Sequence, residues 1–388
     1  MDFELSEEEK AIKEEIHEFL EKKLRPLVRQ IDEKGVPRDF MLEAGKMGIW
    51  GTVFSKDVGG LSLPFSTAVL IAEELGWADF SLATGVIFVL EQGWGYVLDK
   101  YGNNDLRLEV LPKVIKGENF LGVASTEPTG GSDVASIRTI AIKRESSYVI
   151  KGQKAYISGA VEAKEWGGGH LVLAKTRPEE RHKGISIIYV PANSPGVNVR
   201  KLENMGRMGI STSLVDYNEV EVPLKNLVGE ENKGFYHAMD GFNHARVLVA
   251  GICLGAGKAI LEQGLEYIRN REVFGQKLKD FQSIAFEAAE LYTKLEMARL
   301  LTYKAAWALD KGLKDAHIYV AMAKLTAPQT AFEIIKSVMM WMGAYGYSKD
   351  ALVEASFRGI MSYLVGAEGA MNIMKLIISR GILSYLSY

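Results

Sequence analysis

The feature that most constrains this fold is the order in which helical and extended patterns follow one another along the chain. From about residue 5 to 119, apolar residues recur mostly at helical spacing. From about 120 to 230 the pattern changes to short alternating or β-branched runs, separated by Gly, Pro and charged turns. Long helical patterns then return at about 233–270, 281–311, 315–341 and 350 to the end. This order argues against an alternating strand and helix chain, and hence against a doubly wound sheet.

We therefore predict an α+β fold that is mostly α and is divided into three domains. These are an N-terminal helical domain (1–119), a middle antiparallel β domain (120–232) and a C-terminal four-helix bundle (233–388), since helices of that length usually pack as an antiparallel bundle. The predicted strands of the middle domain are SYVIKGQKAYIS, HLVLAKT, GISIIYV and SLVDYNEVEV. A chain of 388 residues with 47% apolar composition has room for such cores.

Charge and cysteine content argue against several classes of protein. The 46 basic and 49 acidic residues give a net charge of −3, and no sustained basic tract favours nucleic acid as a partner. Cys253 is the single cysteine, which excludes an intrachain disulfide framework and fits a reducing cytosol. Residues 1–24 resemble a surface helix rather than a secretory signal, and apolar runs such as 247–257 are too short to span a bilayer. We expect a soluble cytoplasmic protein without a membrane span.

Several common functional motifs are missing. No G-x-G-x-x-G follows a strand, and GICLGAGKA has the wrong glycine spacing for a phosphate loop, which weakens nicotinamide and nucleoside-triphosphate functions. The six histidines are scattered and form no recognised ligand set, so we predict no metal site. The SGA at 158–160 lacks the glycines of a nucleophile elbow, so serine hydrolysis is unsupported.

Two segments carry more chemistry. The segment VASTEPTGGSDVASIRT (123–139) combines hydroxyls and adjacent glycines at a domain boundary, which suits either pyrophosphate binding or a simple linking turn. The segment 359–374 is mostly apolar and has one charged side chain, Glu368, which lies between Gly366 and Gly369. A carboxylate there must reach water, find a partner or take up a proton with a raised pKa.

Five segments in order resemble the acyl-CoA dehydrogenase family. They are STEPTGGSDVASIRT, GQKAYISGA, RNREVFGQKLKDFQ, WMGAYGY and EGAMNIMKLIISR. The resemblance covers essentially the whole chain and matches the three-domain order. It implies an enzyme that holds FAD between the β domain and the C-terminal bundle.

The resemblance also implies the residues that contact FAD. Ser125 and Thr126 would contact the flavin ring, Gly131 and Ser132 the pyrophosphate or ribityl chain, and Tyr156 would present an aromatic face with Ser158 nearby as a hydroxyl. The adenosine-diphosphate half would be bound across the interface of a homodimer or homotetramer by Arg271, Phe274 and Gln282. Further predicted cofactor positions are Gly343, Ala370 and Asn372.

Alternatives remain open at some of these positions. Tyr156 could simply pack between a strand and a helix, and Arg271 could be a solvated charge at a helix end. Three positions depart from the family pattern, in which Met340 replaces a usual Gln, Ala370 a usual Thr and Asn372 a usual Gln. Lost polar contacts would weaken or rearrange flavin binding.

The resemblance implies that Glu368 is the catalytic base. It would take the α proton of an acyl-CoA thioester while its own backbone amide and a ribityl hydroxyl stabilise the enolate oxygen. Hydride would pass from the β carbon to the flavin, giving a trans-2-enoyl-CoA, and the electrons would go to an electron-transferring flavoprotein. Some family branches place the base on an earlier helix, but this chain has Ala245 there.

Four further positions are expected to contact the substrate. Arg246 matches an active-site arginine and Asn243 a position that contacts CoA, although helix-surface packing is the other interpretation of both. Gly369 would free space for substrate, and Ala367 replaces a bulky aromatic, which would widen the pocket for branched, cyclic or larger acyl chains. One residue more than usual separates Arg358 from Glu368, and we expect a bulge in a continuous helix to absorb it.

Two other functions share this fold. An acyl-CoA oxidase or flavin monooxygenase would let oxygen reoxidise the flavin, and a non-catalytic member would have lost activity while keeping the architecture. Peroxide production and FAD binding respectively distinguish these alternatives from the dehydrogenase.

Overall fold

The N-terminal part of the structure is helical. The computed structural model describes residues 4–385, with the side chains of residues 4–383. Ser6 caps the first helix, accepting from the amide of Glu9 while the Glu9 carboxylate accepts from the amide of Ser6. The helices of this part are α1 (Glu7–Lys23), α2 (Val28–Lys34), α3 (Arg38–Lys46), α4 (Phe65–Ala78), α5 (Thr84–Tyr101) and α6 (Asn104–Ile115).

The middle part is a sheet accompanied by the short helix α7 (Ala160–Trp166). Its strands are β1 (Phe120–Ala124), β2 (Ile140–Lys143), β3 (Ser147–Ser158), β4 (Gly168–Lys175), β5 (Ile185–Pro191), β6 (Val197–Lys201), β7 (Thr212–Pro223) and β8 (Leu227–Val228). The order across the sheet is β6-β7-β3-β2-β4-β5-β8, with β1 paired to β4. Most neighbours are antiparallel, whereas β1 and β2 each pair with β4 in parallel.

The C-terminal part returns to helices. They are α8 (Gly234–Asn270), α9 (Gln282–Asp310), α10 (Ala316–Met342), α11 (Ala344–Tyr347), α12 (Val353–Val365) and α13 (Met371–Tyr385), with a small hairpin of β9 (Glu272–Val273) and β10 (Gln276–Lys277) between α8 and α9. The predicted class, mostly helical α+β with a middle sheet, is confirmed.

The long helix α8 is the centre of the molecule, because α4, α5 and α10 all pack against it. Small residues permit the close approach of α4: a Cβ at Gly255 would lie 1.9 Å from the carbonyl oxygen of Glu73, and one at Gly76 would lie 2.1 Å from that of Ile252. By length and composition alone α8 resembles a membrane span, but 94% of its most apolar window is buried inside the protein. Its hydrophobicity therefore serves the core.

Two expectations about the last helix are wrong. The predicted helix from 350 to the end is interrupted, because α12 ends at Val365 and α13 begins only at Met371. We call the connecting segment the 366–370 loop. The extra residue is therefore absorbed by this loop and not by a bulge in a continuous helix. Ala367 and Glu368 have φ angles of 38° and 61°, a left-handed backbone that α-helix geometry excludes. Residues 386–388 of the predicted helix lie outside the described part of the chain.

Candidate active site

Glu368 lies in the middle of the 366–370 loop with its carboxylate turned inward. Trp94 of α5 donates a long hydrogen bond of 3.4 Å from Nε1 to Oε1 of Glu368. The other oxygen, Oε2, is buried and has no hydrogen-bond partner among the described residues. Burial raises the pKa of Glu368 from 4.5 to about 7, although the Trp94 bond and the charges of Arg246 and Lys324 act in the opposite direction. A carboxylate of this kind is suited to proton abstraction near neutral pH.

The backbone of Glu368 is anchored by an arginine on α8. The Nε atom of Arg246 donates to the carbonyl oxygen of Glu368 at 2.8 Å, and its Nη1 atom donates to Oδ1 of Asn243 at 3.2 Å. The guanidinium also lies over the ring of Phe242, 5.3 Å from its centroid. A Cβ at Gly369 would lie in ordinary contact with Arg246, 3.5 Å from its Nη2 atom, but the φ angle of 117° at this position favours glycine. The structure thus brings Asn243, Arg246, Glu368 and Gly369 together.

A lysine that is not among the predicted site residues also holds the 366–370 loop. Lys324 of α10 is fully buried, and its Nζ donates to the carbonyl oxygens of Tyr363 at 3.0 Å, Gly366 at 3.2 Å and Gly369 at 2.5 Å. The signal for it was present in the sequence, since Lys324 is a lone charge in the apolar segment VAMAKLTAP, as Glu368 is in its own segment. Trp94, by contrast, was not predictable, because an aromatic residue in an apolar helix normally indicates core.

Other buried carboxylates are poorer candidates for a base. Both oxygens of Glu91 lack hydrogen-bond partners among the described residues, and burial raises its pKa well above 4.5, but the residue is completely buried and closed to a substrate. Glu73 is engaged by Arg299 at 3.2 Å and by the hydroxyl of Tyr303 at 3.0 Å. Glu368 differs from both, because its unpaired oxygen belongs to a residue that is only half-buried and lies in a loop between two helices.

The earlier-helix position has no room for an alternative base. Ala245 is fully buried on α8, and a Cβ at Gly93 of α5 would lie 2.7 Å from the Cβ of Ala245. Two helices that approach this closely leave no space for a glutamate side chain at 245 without moving apart.

A second group of predicted residues is built around a turn after β1. Ser125 is buried, and its carbonyl oxygen accepts from Nζ of the fully buried Lys154 at 2.9 Å. Lys154 also forms an ion pair of 3.0 Å with Glu127, whose two oxygens accept from backbone amides of residues 138 and 139 at 2.7 and 2.9 Å. Thr126 accepts from the amide of residue 155. These bonds fix the turn against β3.

Tyr156 presents its ring to solvent from β3, with 68% of the residue exposed. Its φ angle of 58° accompanies an irregularity in the pairing of β3 with β7 between Lys154 and Ile157. The alternative in which Tyr156 packs between a strand and a helix is therefore wrong. Nearby, the carbonyl oxygen of Ser158 contacts Nε2 of His170 at 3.1 Å, and burial lowers the pKa of His170 to about 4, so this imidazole is neutral.

The remaining predicted cofactor residues are mostly exposed. Phe274 is 97% exposed and, with Gly275, forms the two-residue turn of the β9–β10 hairpin, where both residues have positive φ angles. Gly131 lies against the Thr126 side chain. Ala367 and Ala370 are half-buried in the 366–370 loop, and exposed positions are Gly131, Ser132, Arg271, Gln282, Gly343 and Asn372.

The residues present fit a flavin dinucleotide. Tyr156 and Phe274 each expose an aromatic face from a left-handed backbone, which is costly for a bulky residue and needs a compensating contact. Hydroxyls of Thr126, Ser132 and Ser158 supply donors for the polar parts of such a ligand. A surface cavity of about 180 Å³ elsewhere, between α8 and α9, is lined by the Glu73–Arg299 pair and includes none of the predicted residues. The described part of the chain contains no cluster of metal-ligating side chains.

Comparison with known proteins identifies the family. The acyl-CoA dehydrogenase N-terminal, middle and C-terminal domain families match residues 6–118, 122–220 and 232–383. "Isobutyryl-CoA dehydrogenase, mitochondrial" of Dictyostelium discoideum is 34% identical over 378 residues, which cover 97% of this chain and 89% of the relative. "Caffeyl-CoA reductase-Etf complex subunit CarC" of Acetobacterium woodii is 32% identical over 381 residues, covering 96% and 98%.

A solved structure agrees with these sequence relatives. The glutaryl-coenzyme A dehydrogenase glutaryl-CoA complex superposes with a TM-score of 0.94 at 31% identity, covering 99% of this chain and 97% of that one. This chain therefore belongs to the acyl-CoA dehydrogenase family. It is an oxidoreductase, and the resemblance found in its sequence is confirmed.

Proposed function

We propose that this protein oxidises an acyl-CoA thioester between its α and β carbons to the trans-2-enoyl-CoA, with Glu368 as the base. The observation that carries the proposal is the carboxylate of the half-buried residue Glu368, which has one buried, unpaired oxygen and a pKa of about 7. In the substrate complex, Oε2 is the atom that takes the α proton, because Oε1 already accepts from Trp94. FAD is the cofactor, and when bound it supplies the two-electron acceptor for hydride from the β carbon.

The backbone of the 366–370 loop supports the same reaction. The amide of Glu368 donates to no described residue, so it is available to the thioester oxygen, where charge develops as the α proton leaves. Arg246 holds the carbonyl of the same residue, which fixes the direction of the peptide group between residues 368 and 369. Asn243, held by Arg246, is our proposed contact for the CoA part of the substrate.

For the acyl group we propose a compact branched or cyclic chain. Ala367, the chain neighbour of Glu368, replaces a bulkier family residue, and the fully buried indole of Trp94 hydrogen-bonds to the Glu368 carboxylate. This combination gives width next to the base and limits length. A relative named for isobutyryl-CoA, a short branched ester, supports the proposal.

We further propose electron-transferring flavoprotein as the acceptor and a homo-oligomer as the working form. A relative named as a subunit of an Etf complex supports the acceptor. The exposed Phe274 and Arg271 support an FAD site completed by a second copy of this chain, since both are solvent-facing in the single subunit.

The experiment is a flavin-bleaching screen with straight, branched and cyclic acyl-CoA esters under anaerobic conditions. We expect fast bleaching by short branched or cyclic esters and slow bleaching by long straight ones. In Glu368→Gln, FAD is retained while bleaching by every ester falls at least about 1,000-fold, because removing an essential base costs this much or more.

The control is Glu15→Gln, which makes the same change on the exposed face of α1 and leaves bleaching intact. Undiminished bleaching by Glu368→Gln would place the base elsewhere, and a preference for straight esters would contradict the proposed substrate class. Steady peroxide formation in air with the native protein would instead indicate an oxidase.

A further inference from the structure

We propose that Lys324 is a positioning residue for the reaction, which holds the backbone on both sides of Glu368 so that the carboxylate stays where it meets the substrate. The inference rests on the proposed function of Glu368 as the base. It adds a residue from a different helix, α10, that contacts neither the Glu368 side chain nor any of the predicted cofactor residues through a described hydrogen bond.

Lys324 contacts the backbone both before and after Glu368 in the sequence. Its Nζ donates three hydrogen bonds, to the carbonyls of Tyr363 and Gly366 before Glu368 and of Gly369 after it. An ammonium group has three donors, so all of them are used. The carbonyls of residues 363 and 366 lie at the C-terminal end of α12, where the helix leaves acceptors unpaired and carries partial negative charge. Lys324 therefore caps the C-terminal end of α12 and, with the same ammonium group, holds the 366–370 loop.

The loop has a conformation that needs such restraint. Ala367 and Glu368 are consecutive non-glycine residues with positive φ, and that backbone persists only when the surrounding structure imposes it. Arg246 restrains the carbonyl of Glu368 from α8, and Lys324 restrains its neighbours from α10. Carbonyls 366, 368 and 369 are thus bound to cations on two helices, while the Glu368 amide and Oε2 have no described partner.

A structural role alone does not require a lysine. A helix end can be closed by a glycine or by water, and a fully buried ammonium is penalised by desolvation, which lowers the pKa of Lys324 to about 8. The charged groups that face Lys324 are Arg246 and Glu368, together with the thiol of Cys253, which burial keeps protonated. Glu368 is faced in turn by Trp94, Arg246 and Lys324. The lysine thus supplies a positive charge that favours the ionised base.

The test compares Lys324→Met with native protein in single-turnover flavin reduction by an ester that the screen identifies as a substrate. Methionine keeps most of the stem volume and removes the donors and the charge. We expect normal FAD content and an acyl-CoA dissociation constant within about twofold of native, with a reduction rate about 10- to 100-fold lower, because displacing a reacting group by an ångström costs this much. The acidic limb of the rate profile moves to higher pH, since a neighbouring positive charge has been lost.

The matched control is Lys336→Met, which removes an exposed lysine from the same helix and leaves rate and pH profile unchanged. Lys324→Gln, a neutral residue that keeps amide donors, is expected to recover part of the rate but not the pH profile. A native rate and profile in folded Lys324→Met would overturn the proposal. Failure of both Lys324 variants to fold would also overturn it in favour of a purely structural role.

The Glu368→Gln measurement separates this inference from the proposed function. If Glu368→Gln still bleaches, the base assignment has failed and Lys324 has nothing to position. If Glu368→Gln is inactive and Lys324→Met is fully active, only the Lys324 proposal has failed. In the double variant, Lys324→Met is expected to cause no further loss beyond that of Glu368→Gln, because both changes act through one carboxylate.

Discussion

At the scale of single residues, burial makes the Glu368 carboxylate more basic and makes the folded protein less stable. Its pKa is about 7 in the folded protein against an ordinary value of 4.5, because burial disfavours the charged form. Between these two values the folded state binds more protons than the unfolded state. Stability therefore falls as pH rises from about 4.5 to 7, and the penalty is complete above pH 7. A residue selected only for stability would not carry this charge.

This balance predicts the pH dependence of stability in Glu368→Gln. The neutral amide removes the penalty for burying a charge. The variant and native protein should therefore have the same melting temperature near pH 4.5, and the variant should have the higher melting temperature above pH 7. The difference in melting temperature should grow as the pH rises from 4.5 to 7. Thermal unfolding of both proteins at matched FAD saturation measures this. A difference that stays constant from pH 4.5 to 8 would contradict an ionising, buried Glu368, whereas Glu15→Gln should follow native protein at every pH.

At the scale of elements, β3 carries both a residue that fixes a turn of the fold and a residue that we propose to contact the cofactor. Lys154 points inward to fix the turn at Ser125, and Tyr156 points outward with a left-handed backbone. The pairing irregularity between Lys154 and Ile157 permits this reversal. The strand therefore stores strain at the residue that would face the flavin.

Because of this strain, we expect Tyr156→Gly to raise the stability of the protein and to lower its affinity for FAD. Glycine removes a steric cost of about 1–2 kcal/mol at a positive φ, while the greater freedom of its unfolded chain offsets about 0.4–1 kcal/mol, so unfolding of the FAD-free protein should require about 0.5–1 kcal/mol more. Loss of the aromatic face should weaken FAD binding about tenfold, the equivalent of roughly 1.4 kcal/mol. FAD titration by fluorescence and denaturant unfolding check both. Tyr156→Phe is the control that keeps the ring, and unchanged FAD affinity in Tyr156→Gly would remove Tyr156 from the flavin site.

At the scale of the whole molecule, α9 exposes an apolar stripe. Phe286, Met297, Leu300 and Trp307 are each at least half exposed and recur at spacings that place them on one face of the helix. Large exposed apolar side chains that gather on one face of a helix mark an interaction surface. Combined with the exposed Phe274 beyond the start of α9, it favours contact with a second copy of the chain.

The stripe predicts the effect of charge on assembly. Phe286→Glu with Leu300→Glu should reduce the particle mass measured by light scattering and release FAD, because charges at an apolar interface are costly to bury and the FAD site would lose its second subunit. Leu108→Glu changes an exposed leucine on α6 and should affect neither property. A double variant with native mass and native FAD content would show that α9 is not the interface.

The sequence by itself determined the order of helical and β parts, the limits of the longest helices and the identity of the lone carboxylate at 368. Hydrophobic periodicity is local, so α8, α9 and α10 end within about a residue of their expected limits. The family motifs named Glu368, Arg246 and Tyr156, although one residue more than the family pattern separates Arg358 from Glu368.

Only the tertiary structure decided where α12 ends and what holds the loop that follows. The mostly apolar sequence from 359 to 374 favours a continuous helix. In the structure the loop after α12 is held by Lys324 and Arg246, which lie 44 and 122 residues before Glu368 along the chain and bind the carbonyls of residues 366, 368 and 369. Hydrogen bonds between such distant positions leave no periodic signal in either segment. Trp94 was hidden for the same reason, because its indole meets the Glu368 carboxylate only where the fold brings α5 next to the 366–370 loop.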